Sequence, residues 1–150
     1  MSLKDFFTQQ GLDITKGLKD SLRSANRNAS GKTSDSINFE IFEDGSTTTF
    51  QVVANKNIMA LEFGRGPTKK SGTGVLKDSI RQWIKDKGIK GSNGISEDSL
   101  VFLITRKIHR EGYAGTPGLI SDVISDELRE NIELGISDII GNEFVKEIIV

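Results

Sequence analysis

The apolar residues of this chain switch between two periods, and each period marks a different element. Ile14, Leu18, Leu22 and Ala25 recur at i, i+4, i+8 and i+11, one face of a 3.6-residue repeat. They predict a helix over residues 3–28, with Gly11 as a point of interruption and Asp13 able to cap a restart. Leu3, Phe6 and Phe7 ahead of it fit an initial turn or an arm that docks on a neighbour. Residues 26–36 are rich in Asn, Ser, Gly and Thr and predict a loop.

The period then falls to two. Ile37, Phe39 and Ile41 share one face of a strand over residues 37–43, and Thr47 to Ala54 returns as its partner. Asp44-Gly45 between them is a two-residue hairpin signal, because both central positions of a type I′ turn need positive φ. Residues 55–63 predict a short helix or irregular segment, followed by a loop through Gly74.

Helical spacing resumes at Val75. Leu76, Ile80, Trp83, Ile84 and Lys87 form a stripe with basic residues opposite, and Gly88, Gly91 and Gly94 end it. Ser96 opens the next helix, with Glu97 and Asp98 placed to complement its positive end, and the helix runs to Arg110. Residues 112–118 must turn. From Leu119 the residues Ile120, Val123, Ile124, Leu128, Ile132 and Ile136 predict a last helix, and residues 144–150 fit either its end or a strand. The pattern is that of one α+β domain over residues 1–150: an N-terminal helix, a small hairpin-based sheet and several packed helices, the last one long.

Composition narrows the function classes. There is no cysteine, so disulfides, thiolate metal sites and thiol catalysis are excluded. The apolar runs are far shorter than the roughly 18 residues of a bilayer span, so no membrane partner is expected. The start, Met-Ser-Leu-Lys-Asp-Phe-Phe, has no apolar signal core, and a cytoplasmic origin is expected. The net charge of −1 names no partner, yet charge is uneven. Residues 65–90 hold eight bases and two acids, a net +6, and residues 119–150 hold two bases and eight acids, a net −6. Such ends suit head-to-tail contact between copies, as they also suit intramolecular neutralisation or two solvated faces.

Candidate chemistry is thin. Ser30-Gly31-Lys32-Thr33 imitates the end of a phosphate-binding loop, but Asn26 stands where its first glycine belongs, and a helix precedes where a strand is required. Residues 64–71 imitate it too, but Lys69 replaces the second glycine and Pro67 removes an N–H donor. His109, the single histidine, lies among bases with no nucleophile in sight. The expectation is a non-enzymatic protein with no cofactor and no metal. Trp83 falls on an apolar stripe and is expected in the core rather than as a stacking platform. Phosphate contact through Lys69, Lys70, Lys85 and Lys87 would make a salt-sensitive nucleic-acid-binding protein the alternative.

The stretch Met59-Ala-Leu-Glu-Phe-Gly-Arg-Gly-Pro67 joins the two halves of the chain. With Gly31-Lys-Thr-Ser-Asp-Ser-Ile37 before it and Gly115-Thr-Pro-Gly-Leu119 after it, the order of elements resembles the tail-completion, or head–tail joining, proteins of tailed bacteriophages. The middle, Ile80 to Ile89 and Leu103 to Gly112, is similar to the two-helix insert of some phage minor tail proteins. Arg65 stands where that family tends to have Thr, and Gly118-Leu119 where an aromatic follows the proline. The resemblance implies a virion structural protein that forms a homo-oligomeric ring at the neck or upper tail, assembled in the host bacterial cytoplasm. Its partners would be neighbouring connector or tail-tube proteins, with non-specific DNA contact in the lumen.

The interface and structural candidates are Glu62, Phe63, Gly64, Arg65, Gly66, Lys69, Lys70, Tyr113 and Pro117. Phe63 is expected to pack under the sheet, and Glu62 to pair with a base such as Arg65 or one on a neighbouring subunit. Gly64 and Gly66 are expected to turn the chain.

Overall fold

One long helix at the N-terminus gathers most of the core. The computed structural model describes residues 1–68 and 74–148. They form an α+β fold in the order α1 (Leu3–Ser24), α2 (Lys32–Ser36), β1 (Asn38–Asp44), β2 (Thr47–Val53), α3 (Asn57–Phe63), α4 (Val75–Lys87), α5 (Glu97–Glu111) and α6 (Asp126–Ile148). None of these helices is long and apolar enough to cross a membrane.

A capping box starts α1. The Ser2 hydroxyl oxygen accepts from Asp5 N–H at 3.1 Å, and the Asp5 carboxyl accepts from Ser2 N–H at 3.2 Å. Bonds from the Ser2 hydroxyl and then its N–H hold the Asp5 carboxyl below its ordinary value. Their contribution is therefore fully present above the ordinary carboxylate range and is lost as pH falls through the lowered value.

The helix does not break at Gly11. That glycine is buried because the Phe39 ring of β1 crosses it closer than any side chain would allow. Phe7 is buried too, its ring stacked on Phe50 of β2 with centroids 5.1 Å apart, while Phe6 lies over Gly135 of α6. The N-terminal aromatics thus pack on their own chain and do not form an arm. Below them Ile14, Leu18 and Leu22 meet Ile37, Ile58 and Leu119 in one core, flanked by Phe50, Val52, Leu61, Val123, Leu128 and Ile132.

The hairpin forms one residue later than the dipeptide signal predicts. Asp44 pairs with Thr47, so Gly45 and Ser46 are the central residues. Only Gly45 has positive φ, +59°, the type II′ requirement, so glycine is needed at the first central position alone. Ile37 lies just before β1 but is fully buried. The expected loop over residues 26–36 contains α2, whose Ser34 is buried.

α4 and α5 pack chiefly on each other around Ile84 and Val101, which are 1% and 0% exposed and lie outside the main core cluster. Gly88 ends α4 in the left-handed region, and the Ser96 hydroxyl caps α5 by accepting from Ser99 N–H at 3.2 Å. The last helix begins later than its apolar period predicts. Residues 117–124 form turns, and Ser125 caps α6 by accepting from Leu128 N–H at 3.2 Å. The tail is helical through Ile148, and residues 149–150 lie outside the described residues.

Gly11→Ala should destabilise the protein. The added methyl drives the Phe39 ring off α1, a strain of about 1–3 kcal/mol, against a helix-propensity gain of about 1 kcal/mol. Urea unfolding of the variant should show a net loss, and a gain would mean that the ring relocates freely.

Candidate functional site

Helices α3 and α5 end in the same way, and their ends bind each other. Gly64 closes α3 at φ 77°, ψ −163°, and Gly112 closes α5 at φ 69°, ψ −161°. Only glycine occupies this region readily. The next residues then pair as a short antiparallel bridge: Arg65 N–H donates to Tyr113 O, and Tyr113 N–H to Arg65 O, both at 2.9 Å. The contact extends in both directions. Thr68 N–H donates to His109 O at 2.9 Å, and Thr116 N–H to Leu61 O at 2.8 Å. A Cβ on Gly64 would collide with Tyr113 O, one on Gly112 with Arg65 O, and one on Gly115 with Glu62 O. Two stretches about fifty residues apart in sequence are thus held backbone against backbone.

Glu62 locks this arrangement to the core. Its side chain is 6% exposed. The carboxyl accepts from Ile120 N–H at 3.0 Å, Ser121 N–H at 3.4 Å and the Ser121 hydroxyl at 2.6 Å. It caps the turn at residues 118–124 from across the fold, taking N–H groups that a first helical turn leaves unpaired. From the other side, Ser21 Oγ donates to Leu119 O at 2.7 Å, and Arg27 Nε to Thr116 Oγ1 at 2.9 Å.

Several expectations about this stretch are corrected. Among the described residues of this chain Glu62 pairs with no base, Arg65 included; its partners are backbone and a hydroxyl. Arg65 instead donates from its guanidinium to Thr68 Oγ1 at 3.0 Å. Phe63 does not pack under the sheet but is 70% exposed, because the helical turn that buries Glu62 points its neighbour outward. Gly64 does turn the chain, whereas Gly66 has no positive φ and open space where a Cβ would sit. Tyr113 is exposed on the same ladder, and Pro117 is exposed just beyond its end. Lys69 and Lys70 lie outside the described residues. The signal for the Glu62 partners was Ser121 after the Gly118 turn, a hydroxyl beside free N–H groups.

A second feature lies where α4 faces the 27–33 segment. A cleft of about 500 Å³ is lined by Arg27, Lys32, Trp83 and Lys87, with Asp78 and Asp86 among them. Trp83 is 39% exposed and not part of the core, which Ile84 fills instead. Lys87 is engaged, donating to Asn26 O at 2.8 Å and Asn26 Oδ1 at 2.7 Å. The Gly31-Lys32-Thr33 stretch lines this cleft but opens a helix of five residues. Among the described residues no cluster of His, Asp and Glu is placed to hold a metal ion.

No protein-family model, curated protein or solved structure matches this chain.

Glu62→Ala should leave two N–H groups and a hydroxyl without their acceptor and lower the unfolding free energy by about 2–4 kcal/mol. Arg65→Ala, which removes one partly exposed bond, should change it by less than about 1 kcal/mol. Gly64→Ala should lower it by about 3 kcal/mol from strain and collision, and Gly66→Ala should stay within about 0.5 kcal/mol. Urea titrations of the four variants check this ordering; equal losses at Glu62 and Arg65 would show that the buried carboxyl is not the anchor.

Proposed function

We propose that this chain is a non-enzymatic virion structural protein that self-associates into a ring at the neck or upper tail of a tailed phage, joining the head connector to the tail or completing the tail. One observation carries the self-association. Among the described residues nine apolar side chains are buried, while seventeen large apolar ones are exposed, including Phe63, Phe102, Phe144 and Ile148. Exposed apolar side chains that lie together, as Phe144, Val145 and Ile148 do on α6, mark a surface suited to being covered. The oppositely charged segments suit a head-to-tail orientation of copies, and heterologous contact of that kind generates a ring when the rotation closes.

The placement of the ring rests on the resemblance of residues 59–67 and 115–119 to tail-completion proteins. Its support in the fold is that these stretches lie side by side in one ladder. Phe63, Arg65, Tyr113 and Pro117 on or just beyond that ladder would then contact the next protein in the stack, a connector or tail-tube protein. DNA passing through the lumen would meet the basic segment without sequence preference. The protein would be made in the host bacterial cytoplasm and end in the virion.

The cleft favours a second reading, an accessory protein that binds nucleic acid. Trp83 stands exposed beside Arg27 and Lys32, an aromatic face next to bases, as in single-strand binding sites.

Light scattering after size exclusion, on the protein alone and mixed with candidate connector and tail-tube proteins, should give a discrete multiple of 16.4 kDa. A monomer in every mixture overturns the ring. Fluorescence anisotropy with single-stranded DNA tests the second reading. It requires binding that falls steeply between about 50 and 200 mM salt, and no binding at the lower salt removes it.

A further inference from the structure

The far half of α6 has a bare apolar face. Leu128, Ile132 and Gly135 lie on the side turned to the core and α1, while residues 140–148 are all exposed. Leu134, Gly141, Phe144 and Ile148 fall seven, three and four residues apart, on the opposite side, flanked by Ile140 and Val145. At 1.5 Å per residue the stripe runs about 20 Å. α6 is therefore apolar on two faces, and the chain covers one.

Seven acids and two bases lie along α6. Among the described residues Asp138, Glu143 and Glu147 form no ion pair. A second α6 laid on this face would set like charges against each other, so the acids argue against self-pairing of the helix.

α5 offers the opposite surface. Val101 is fully buried against α4, and on the far side Phe102 and Leu103 are half exposed or more. One turn further on stand Arg106 and Lys107, then Arg110. Arg106 and Lys107 have no ion-pair partner among the described residues. This face is an apolar pair followed by three bases.

We propose that the outer face of α6, centred on Phe144, docks on the outer face of α5 in a second copy, with Glu143 and Glu147 against Arg106 and Lys107. The contact rests on the self-association reading above and gives it its surfaces. It is heterologous, since each copy offers α6 to one neighbour and α5 to the other, so it propagates from copy to copy and makes a ring when the rotation closes.

The chain has no cysteine, so single thiols report the contact cleanly. Leu103→Cys and Val145→Cys leave Phe102 and Phe144 in place and replace exposed residues. The two full-length variants, one labelled with ¹⁵N, are mixed and mildly oxidised, and cross-linked dimers are identified by mass. The mixed 103–145 dimer should exceed either like-with-like dimer at least tenfold. Arg106→Glu with Lys107→Glu should weaken association at least tenfold, and Glu143→Lys with Glu147→Lys in the same chain should restore it. A dominant 145–145 dimer overturns the proposal in favour of α6 pairing with itself. Unchanged self-association with no favoured cross-link and no charge effect overturns the proposal and leaves the ring reading standing. An unsubstituted chain that stays monomeric alone at every concentration overturns this contact, and one that also stays monomeric with candidate connector and tail-tube proteins overturns the ring as well.

Discussion

The fold depends on where one carboxyl group finds its donors. Glu62 sits in α3, inside an apolar run, and burying it without partners would cost several kcal/mol. The donors it finds are Ile120 N–H, Ser121 N–H and the Ser121 hydroxyl. That choice fixes the turn at residues 118–124, seats Leu119 in the core between α1 and α3, and sets where α6 begins. It also orients α3 so that Gly64 presents its closing peptide to Tyr113. The ladder between residues 61–68 and 109–116 follows from that placement. One acid thus ties together α3, the turn, the base of α5 and the approach to α6.

The α+β class was legible, because period alone separates α1, the hairpin, α4 and α5. The core stripe Ile14, Leu18, Leu22 was legible for the same reason. What escaped was whatever a partner distant in sequence decides. Gly11 reads as a helix interruption until Phe39 is known to cross it. Ile120, Val123 and Ile124 keep helical spacing, yet Glu62 takes the N–H groups there and the segment turns instead. Phe63 lost its expected place under the sheet, since apolarity argued for burying it and only the three donors made burial of Glu62 beside it favourable. The hairpin slipped by one residue because a type II′ turn on Gly45 satisfies the same strands as a type I′ turn on Asp44-Gly45.

The molecule divides its apolar residues unusually. α1 gathers most of the core, while α4 and α5 keep only Ile84 and Val101 between them. α5 and α6 then each leave an apolar face uncovered, one edged by bases and the other by acids. A lean interior and surfaces of complementary charge are two results of the same composition.

Thr68 N–H donates to His109 O at 2.9 Å, so the described chain before α4 and the last turn of α5 meet at one point of the body. The body, with its α1 core, hairpin, α3 and α6, could close through a short connector across the same gap with its register undisturbed. The geometry of Gly64 and Gly112, where a Cβ would strike the backbone opposite, is what such a connector would have to leave untouched.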